Sequence, residues 1–377
     1  MMEYVDLKDV CSINMGQSPD SSSYNQDNDG IPFFQGNADF GDLYPVTRVW
    51  CNAPTKIAKS GDILISVRAP IGALNYAKEE CCIGRGLAAI TPDKSKASPD
   101  FIYWMLKGKN AELNSKGTGS TFKAISRKVL EEIKVPNISL EKQYHYANIL
   151  KRLYSIIQMR RHELQIFDDL IKARFVEMFG DPVSNPKGWE KKALSDEADI
   201  KIGPFGSLLH KEDYISGGHA LVNPSHIIDG KISPDNDLTI SDEKYDELSA
   251  YHLHEGDVVM GRRGEMGRCA VVEKEGFLCG TGSLLIRSKG NLRADYIQKI
   301  ISFPSFKRTI EDMAVGQTMP NLNVPIVSAF QIIAPPKNVQ DLYYDFVDQV
   351  DKSKFVVQKA LNEAQLLFDS LMQEYFG

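Results

Sequence analysis

His252 and His254, separated by Leu253, are the pair in this sequence whose type and spacing come nearest to a metal site. On a strand, positions i and i+2 put both imidazoles on one face. Zinc needs further ligands at suitable spacing, and none stands nearby in the sequence, so no zinc centre is expected. The six cysteines, at 11, 51, 81, 82, 269 and 279, form no Cys-x-x-Cys pair, and Cys81-Cys82 are too close for an ordinary disulfide. They read as reduced thiols. Gly84-Arg85-Gly86 and Gly280-Thr281-Gly282 fall short of the Gly-x-Gly-x-x-Gly dinucleotide pattern and predict tight turns between strands. Asn223-Pro224-Ser225-His226 lacks the second proline and the aromatic of an Asn-Pro-Pro-aromatic methyltransferase loop, and predicts an ordinary loop. There is no Gly-x-x-x-x-Gly-Lys-Ser/Thr, Gly-x-Ser-x-Gly or His-Glu-x-x-His segment. No active site assembles from these pieces, which points to binding rather than catalysis.

The elements that would carry binding residues are duplicated. Gly61-Asp62-Ile63-Leu64-Ile65-Ser66-Val67-Arg68-Ala69-Pro70-Ile71-Gly72 returns 195 residues on (256 minus 61) as Gly256-Asp257-Val258-Val259-Met260-Gly261-Arg262-Arg263-Gly264-Glu265-Met266-Gly267. Leu7 through Gly16 matches Leu194 through Gly203, and Ile31 through Asn37 falls where Ala220 through Pro224 falls. Gly84-Arg85-Gly86-Leu87 matches Gly280-Thr281-Gly282-Ser283, and Asp100-Phe101-Ile102 matches Asp295-Tyr296-Ile297. Gly119 through Ser126 matches Gly316 through Asn323. Apolar positions and glycines recur while the polar residues between them differ. Gly-Asp turns opening short apolar runs predict strands, and the segments after Asp100 and Asp295 predict short helices. Each copy reads as a compact α+β domain.

After each copy the texture changes. Leu140 to Met178 and Val339 to Phe376 contain no Gly or Pro. Leu150, Ile157, Leu164, Ile171 and Met178 recur every seventh residue in the first stretch, and Tyr343, Val350, Val357, Ala364 and Leu371 do so in the second. Sustained heptads predict helices packed on each other, each about 55 Å long at ~1.5 Å per residue. The order domain, helix, domain, helix predicts an antiparallel coiled coil with pseudo-two-fold symmetry. The predicted spans are 1–138 and 181–336 for the domains, and 139–180 and 337–377 for the helices.

The hydrophobic fraction of 42% and charged fraction of 25% are those of a globular chain. No run approaches the ~18 apolar residues of a membrane span, and Met1-Met2-Glu3-Tyr4-Val5-Asp6 carries no secretion signal. A cytoplasmic location is expected. The net charge of −6 argues against a strongly basic nucleic-acid binder; any basic face must be local.

The duplicated Gly-Asp-apolar-Arg-Gly segments, the Gly-x-Thr segments at 119–126 and 316–323, the joints Val135-Pro136 and Ala334-Pro335, and the helix ends Met178-Phe179-Gly180 and Tyr375-Phe376-Gly377 together resemble the specificity (S, HsdS) subunits of type I restriction–modification enzymes. The resemblance covers the whole chain. It implies two target recognition domains, residues 1–138 and 181–336, each reading one half of a split, asymmetric DNA sequence. It also implies an antiparallel coiled coil that spaces them and docks two methyltransferase subunits, with restriction–translocase subunits as further partners. The subunit would be non-catalytic and bind no cofactor. S-adenosylmethionine, and ATP with Mg²⁺ for restriction, would belong to the partners.

Under that resemblance, base edges would be read by Arg or Lys on guanine and by Asn or Gln on adenine, with Ser and Thr more permissive. The candidates in the first domain are Gln17, Ser18, Gln35, Asn37, Arg68, Arg85, Ser120, Thr121 and Lys123. In the second they are Ser207, His210, Lys211, Asn223, Ser225, Arg262, Arg263, Gln317, Thr318 and Asn321. Each could equally be a solvated loop residue. Arg68 and Arg263 stand out because both copies place an arginine there, although a phosphate clamp would carry no sequence information. Two other readings stay open: the specificity subunit of a system whose methylation and cleavage share one partner polypeptide, and a coiled-coil adaptor presenting two ligand-binding domains.

Overall fold

The computed structural model describes residues 3–119, 123–314 and 321–377. The chain divides into two compact units, residues 1–164 with 356–377, and residues 165–355. Each unit therefore takes one domain and part of each long helix, rather than ending at a helix boundary.

In the first unit, four antiparallel strands lie in the order Cys11–Met15, Leu87–Pro92, Ile63–Ser66, Leu74–Tyr76. A second sheet runs Tyr24–Asn25, Trp50–Cys51, Ile31–Phe34, Cys81–Ile83, Ile57–Ala58, and a strand pair joins Tyr4–Asp6 to Lys134–Pro136. Alternation along the central strand explains the layering. Ile63 and Ile65 face the core shared with the helix Pro99–Gly108, while Leu64 faces the second sheet through Phe34 and Ile83. Covered on both faces, this strand reads as an unbroken apolar run.

The second unit repeats this plan. Its main sheet runs Ala198–Ile202, Ser283–Ser288, Val258–Gly261, Cys269–Val271, and its second sheet Tyr214–Ile215, Thr239–Ile240, His219–Val222, Phe277–Cys279, His252–Leu253. A strand pair again joins the start of the domain, Lys191–Ala193, to its end, Gln331–Ile333. The hairpin Ile227–Ile228 with Lys231–Ile232 is specific to this copy among the described residues.

The repeated Gly-Asp motif is a turn. Gly61 and Gly256 adopt φ of 86° and 85°, which glycine reaches without steric cost. The next residue locks the turn: the Asp62 carboxylate accepts from the Lys59 N–H at 2.8 Å, and that of Asp257 from the His254 N–H at 2.7 Å. A Cβ on Gly16 would sit 2.2 Å from the Gly84 carbonyl oxygen, and one on Gly203 2.0 Å from that of Gly280, so both pairs of glycines serve close backbone approach.

The long helices span Leu140–Phe179 and Lys337–Phe376. Gly180, at φ 77°, ends the first in the left-handed conformation, its N–H donating to the Val176 carbonyl. Within the first unit, Tyr146 stacks on Tyr375 at 3.8 Å and Arg161 donates to Gln365. Within the second, Lys354 pairs with Asp168 at 2.6 Å and the Tyr343 hydroxyl donates to the Ile171 carbonyl. Numbers rise on one helix as they fall on the other, so the segments run antiparallel in each unit.

The predicted stripes face inward. Leu150, Ile157, Tyr343, Val350, Val357 and Ala364 are buried, while Leu164, Ile171, Met178 and Leu371 pack at the core margins. Sequence spacing favoured helix-on-helix packing over helix-on-domain packing, and the structure combines the two. Leu150 and Ile157 share one core with Leu361 and Phe368 of the other helix and with Phe101 and Trp104 of their own domain. Phe175 and Phe179, off the predicted stripe, are fully buried against Tyr296 of the domain and Tyr343 of the second helix. A helix flanked on two sides buries more than one heptad seam.

Candidate nucleic-acid interface

Five loops converge at one end of the first domain's main sheet, and backbone hydrogen bonds hold them. The Gly16 N–H donates to the Leu87 carbonyl, Gln17 to Ile83, Gly86 to Gln35, Val67 to Gly86, and Ile125 to Val67. The Ala69 N–H donates to the Lys123 carbonyl at 3.1 Å. Gln17, Gln35, Arg68, Arg85 and Lys123 are thereby gathered and exposed, with Ser18 half-buried among them. The Ser18 hydroxyl accepts from the Arg85 N–H at 3.3 Å, and the Gln17 carbonyl accepts from the Thr55 hydroxyl at 2.6 Å. Asn37 begins a short turn just beyond, where the Asp39 carboxylate accepts from the N–H groups of Gln35 and Gly36. Among the described residues, the side chains of Gln17, Gln35, Arg68, Arg85 and Lys123 make no hydrogen bond within the protein, so their donors and acceptors face outward on a fixed backbone.

The second domain uses the same skeleton. The N–H of Gly203 donates to Ser283, Gly280 to Val222, Arg262 to Gly282, and Leu322 to Arg262. Arg68 bridges Ala124 in the first copy as Arg263 bridges Asn321 in the second. These contacts bring Asn223, Ser225, Arg262, Arg263 and Asn321 together around the Gly280–Gly282 turn. Asn223 is partly occupied, its Oδ1 accepting from the Gly282 N–H at 3.3 Å. The Arg262 Nε donates to Asn321 Oδ1 at 3.0 Å. Ser207, His210 and Lys211 lie farther along the loop after Gly203, exposed in and beside two short turns. Among the described residues no side-chain hydrogen bond or ion pair joins them to the cluster. Ser120, Thr121, Gln317 and Thr318 fall outside the described residues.

The electrostatics are local. Some cations elsewhere are paired: Arg287 with Asp257 at 2.7 Å, Arg293 with Asp295 at 2.7 Å and with Asp341 at 3.1 Å. At the loop clusters, among the described residues, Arg68, Arg85, Lys123, Arg262 and Arg263 have no carboxylate partner. A chain of net charge −6 thus presents unpaired cations where its loops converge, which is the pattern a phosphate backbone and base edges call for.

Sequence reasoning missed two supports of this surface. Arg268, paired with Glu265 at 2.6 Å, donates through Nη1 to the Pro224 carbonyl and steadies the Asn223–Ser225 loop. Asp39 does the same for Gln35 and Gly36. An acidic residue three positions after a glycine turn was a usable signal for Asp39; nothing local marked Arg268. The histidine pair separates: His252 stacks on Tyr245 at 3.6 Å, while His254 bonds Glu275 at 3.0 Å. Among the described residues no three metal-ligating side chains cluster. All six cysteines are free and buried; their spacing alone leaves burial open.

The sequence model of the type I restriction modification DNA specificity domain matches residues 1–166 and 186–365. A putative type I restriction enzyme MjaX specificity subunit of Methanocaldococcus jannaschii is 46% identical over 151 residues, covering 40% of this chain and 36% of that protein. The type I restriction enzyme MjaIX specificity subunit of the same organism is 24% identical over 342 residues, 84% of this chain and 77% of that protein. The solved S subunit of a type I restriction–modification system from M. genitalium shares the fold, with TM-score 0.61 and 14% identity over 100% of this chain and 96% of that one. Among the described residues no helix is long and apolar enough to cross a membrane.

Proposed function

Because the chain belongs to the type I restriction modification DNA specificity family, we propose that it reads a split, asymmetric DNA sequence, one half-site per domain. The observation that carries this is the pair of loop clusters. The same backbone hydrogen bonds recur in both copies, Val67 to Gly86 beside Arg262 to Gly282, and Ile125 to Val67 beside Leu322 to Arg262. The side chains set on that frame differ: Gln35 against Asn223, Val67 against Arg262, Ala124 against Asn321. A common frame with different polar ends suits two different half-sites, and joining two modest contacts in one chain raises affinity through effective concentration.

The long helices would set the distance between half-sites and dock two methyltransferase subunits, with restriction subunits joining the complex. Exposed apolar side chains on the helices support a docking role: Phe355 is 73% exposed and Leu366 70%, and such side chains mark interaction surfaces when they gather. The chain itself would do no chemistry. S-adenosylmethionine, and ATP with Mg²⁺ for restriction, would bind the partners. The deciding experiment is a map of methylated adenines in DNA from cells carrying this chain and its methyltransferase. A two-part motif with a fixed gap is expected. Methylation with no sequence preference, or a stable partner complex indifferent to DNA, would refute the reading and favour an adaptor.

A further inference from the structure

We propose that Arg262 reads a guanine in the half-site of the second domain and that Asn321 aims its guanidinium at the base. The inference rests on that domain being a half-site reader. The internal repeat supplies the control. Arg262 donates its N–H to Gly282 and accepts from Leu322 as Val67 does with Gly86 and Ile125. Asn321 takes the bridging place of Ala124. The first copy thus shows that this frame folds with Val and Ala, and Val67 there is 3% exposed in an apolar core.

An arginine at an apolar position loses hydration. Burial, followed by the charge of Arg263, pulls its affinity for the proton below the usual arginine range. A purely structural arginine would recover that loss from a carboxylate, as Arg287 does from Asp257 and Arg293 from Asp295. Arg262 has a neutral acceptor instead, Asn321 Oδ1, 3.0 Å from its Nε. Holding Nε leaves the two terminal nitrogens as a planar fork, the geometry that matches O6 and N7 of guanine. Arg263, adjacent and exposed, can grip phosphate without such aiming. Asn321 is the positioning residue, because its acceptor oxygen is already used.

The test uses the full chain with the methyltransferase that co-purifies with it. Bound sequences are recovered from a pool of random double-stranded DNA. Wild type should recover a split site with a guanine in one half. Replacing Arg262→Val together with Asn321→Ala installs the residues of the first copy. The protein should melt no earlier, and preference for that guanine should fall about 5- to 140-fold, which is ~1–3 kcal/mol for a bidentate pair at ~1.4 kcal/mol per tenfold. The other half-site should be unchanged. Asn321→Ala alone should lose part of the preference, and Asn321→Asp, which keeps an oxygen acceptor, should retain the preference at a lower affinity for every sequence, because the added charge opposes phosphate. Arg262→Lys should keep affinity and lose part of the preference, because an ammonium lacks the planar fork. An unaltered site in the double variant, or an equal loss on every sequence, overturns the inference, and a wild-type site with no guanine does the same. Wild type recovering no sequence at all refutes the half-site reading itself and the inference with it. Should the double variant melt early, the contrast between Asn321→Ala and Asn321→Asp decides.

Discussion

At Arg68 and Arg263 the two copies agree, since both are exposed and both bridge the segment that follows the domain's short helices. Recurrence in both copies made these positions legible in the sequence. Their partner was not, because phosphate and base contacts use the same side chain. Replacing Arg263→Ala should weaken binding to one half-site by about 1–3 kcal/mol if the side chain reads a base; competition binding on half-site variants measures this, and a uniform loss on all sequences assigns it to phosphate. The cysteines give a second prediction. Burial pushes the thiols of Cys11, Cys81, Cys269 and Cys279 up to about 12. A raised value means the neutral thiol dominates below it, so at pH 8 on the order of one in ten thousand is thiolate. Iodoacetamide at pH 8 should leave these four unlabelled in the native protein and label them after unfolding. Rapid native labelling would contradict their burial.

Among the elements, the long helices were the easiest to find and their anchors the hardest. Absence of Gly and Pro over some 40 residues, with a heptad stripe, located both helices within a residue or two, because helix periodicity is a local property. Their attachment depends on Gln143 and Gln340, which no local rule singles out. Gln143 is 3% exposed; its Oε1 accepts from the Ser98 N–H at 2.9 Å, and its Nε2 donates to the carbonyls of Lys96 and Ile138. Gln340, fully buried, repeats this with the Arg293 N–H and the carbonyls of Asn291 and Pro335. Each glutamine ties the first turn of a long helix to the start of its domain's helix, Pro99–Gly108 or Ala294–Ile301. A glutamine in a heptad reads as solvated until its surroundings are known. Gln340→Leu keeps the volume and strips three partners. Leaving buried polar groups unpaired costs about 1–3 kcal/mol each, so urea unfolding should show a loss of at least that size. A change within about 0.5 kcal/mol would show that water replaces the amide.

For the whole molecule, the proposal that the helices set half-site spacing is testable by length. Removing one heptad from each helix shortens the pair by about 10 Å at ~1.5 Å per residue, on the order of three base pairs at ~3.4 Å each. The gap in the methylated motif should shrink accordingly while both half-sites persist; an unchanged gap in an intact complex would refute the spacer role. The sequence by itself determined the duplication, the Gly-Asp turns, the strands and short helices, and the two long helices, because each rests on periodicity or on backbone freedom confined to a few adjacent residues. It also named most of the loop residues that now stand together. Only the tertiary structure decided which of them share a surface, that Asn223 is partly taken up by the Gly280–Gly282 turn, that Arg262 is held by Asn321, and that within each unit both helices pack on each other and on that unit's domain. Those outcomes join residues tens to hundreds of positions apart, and such contacts are selected by the packing and hydrogen bonding of the finished core.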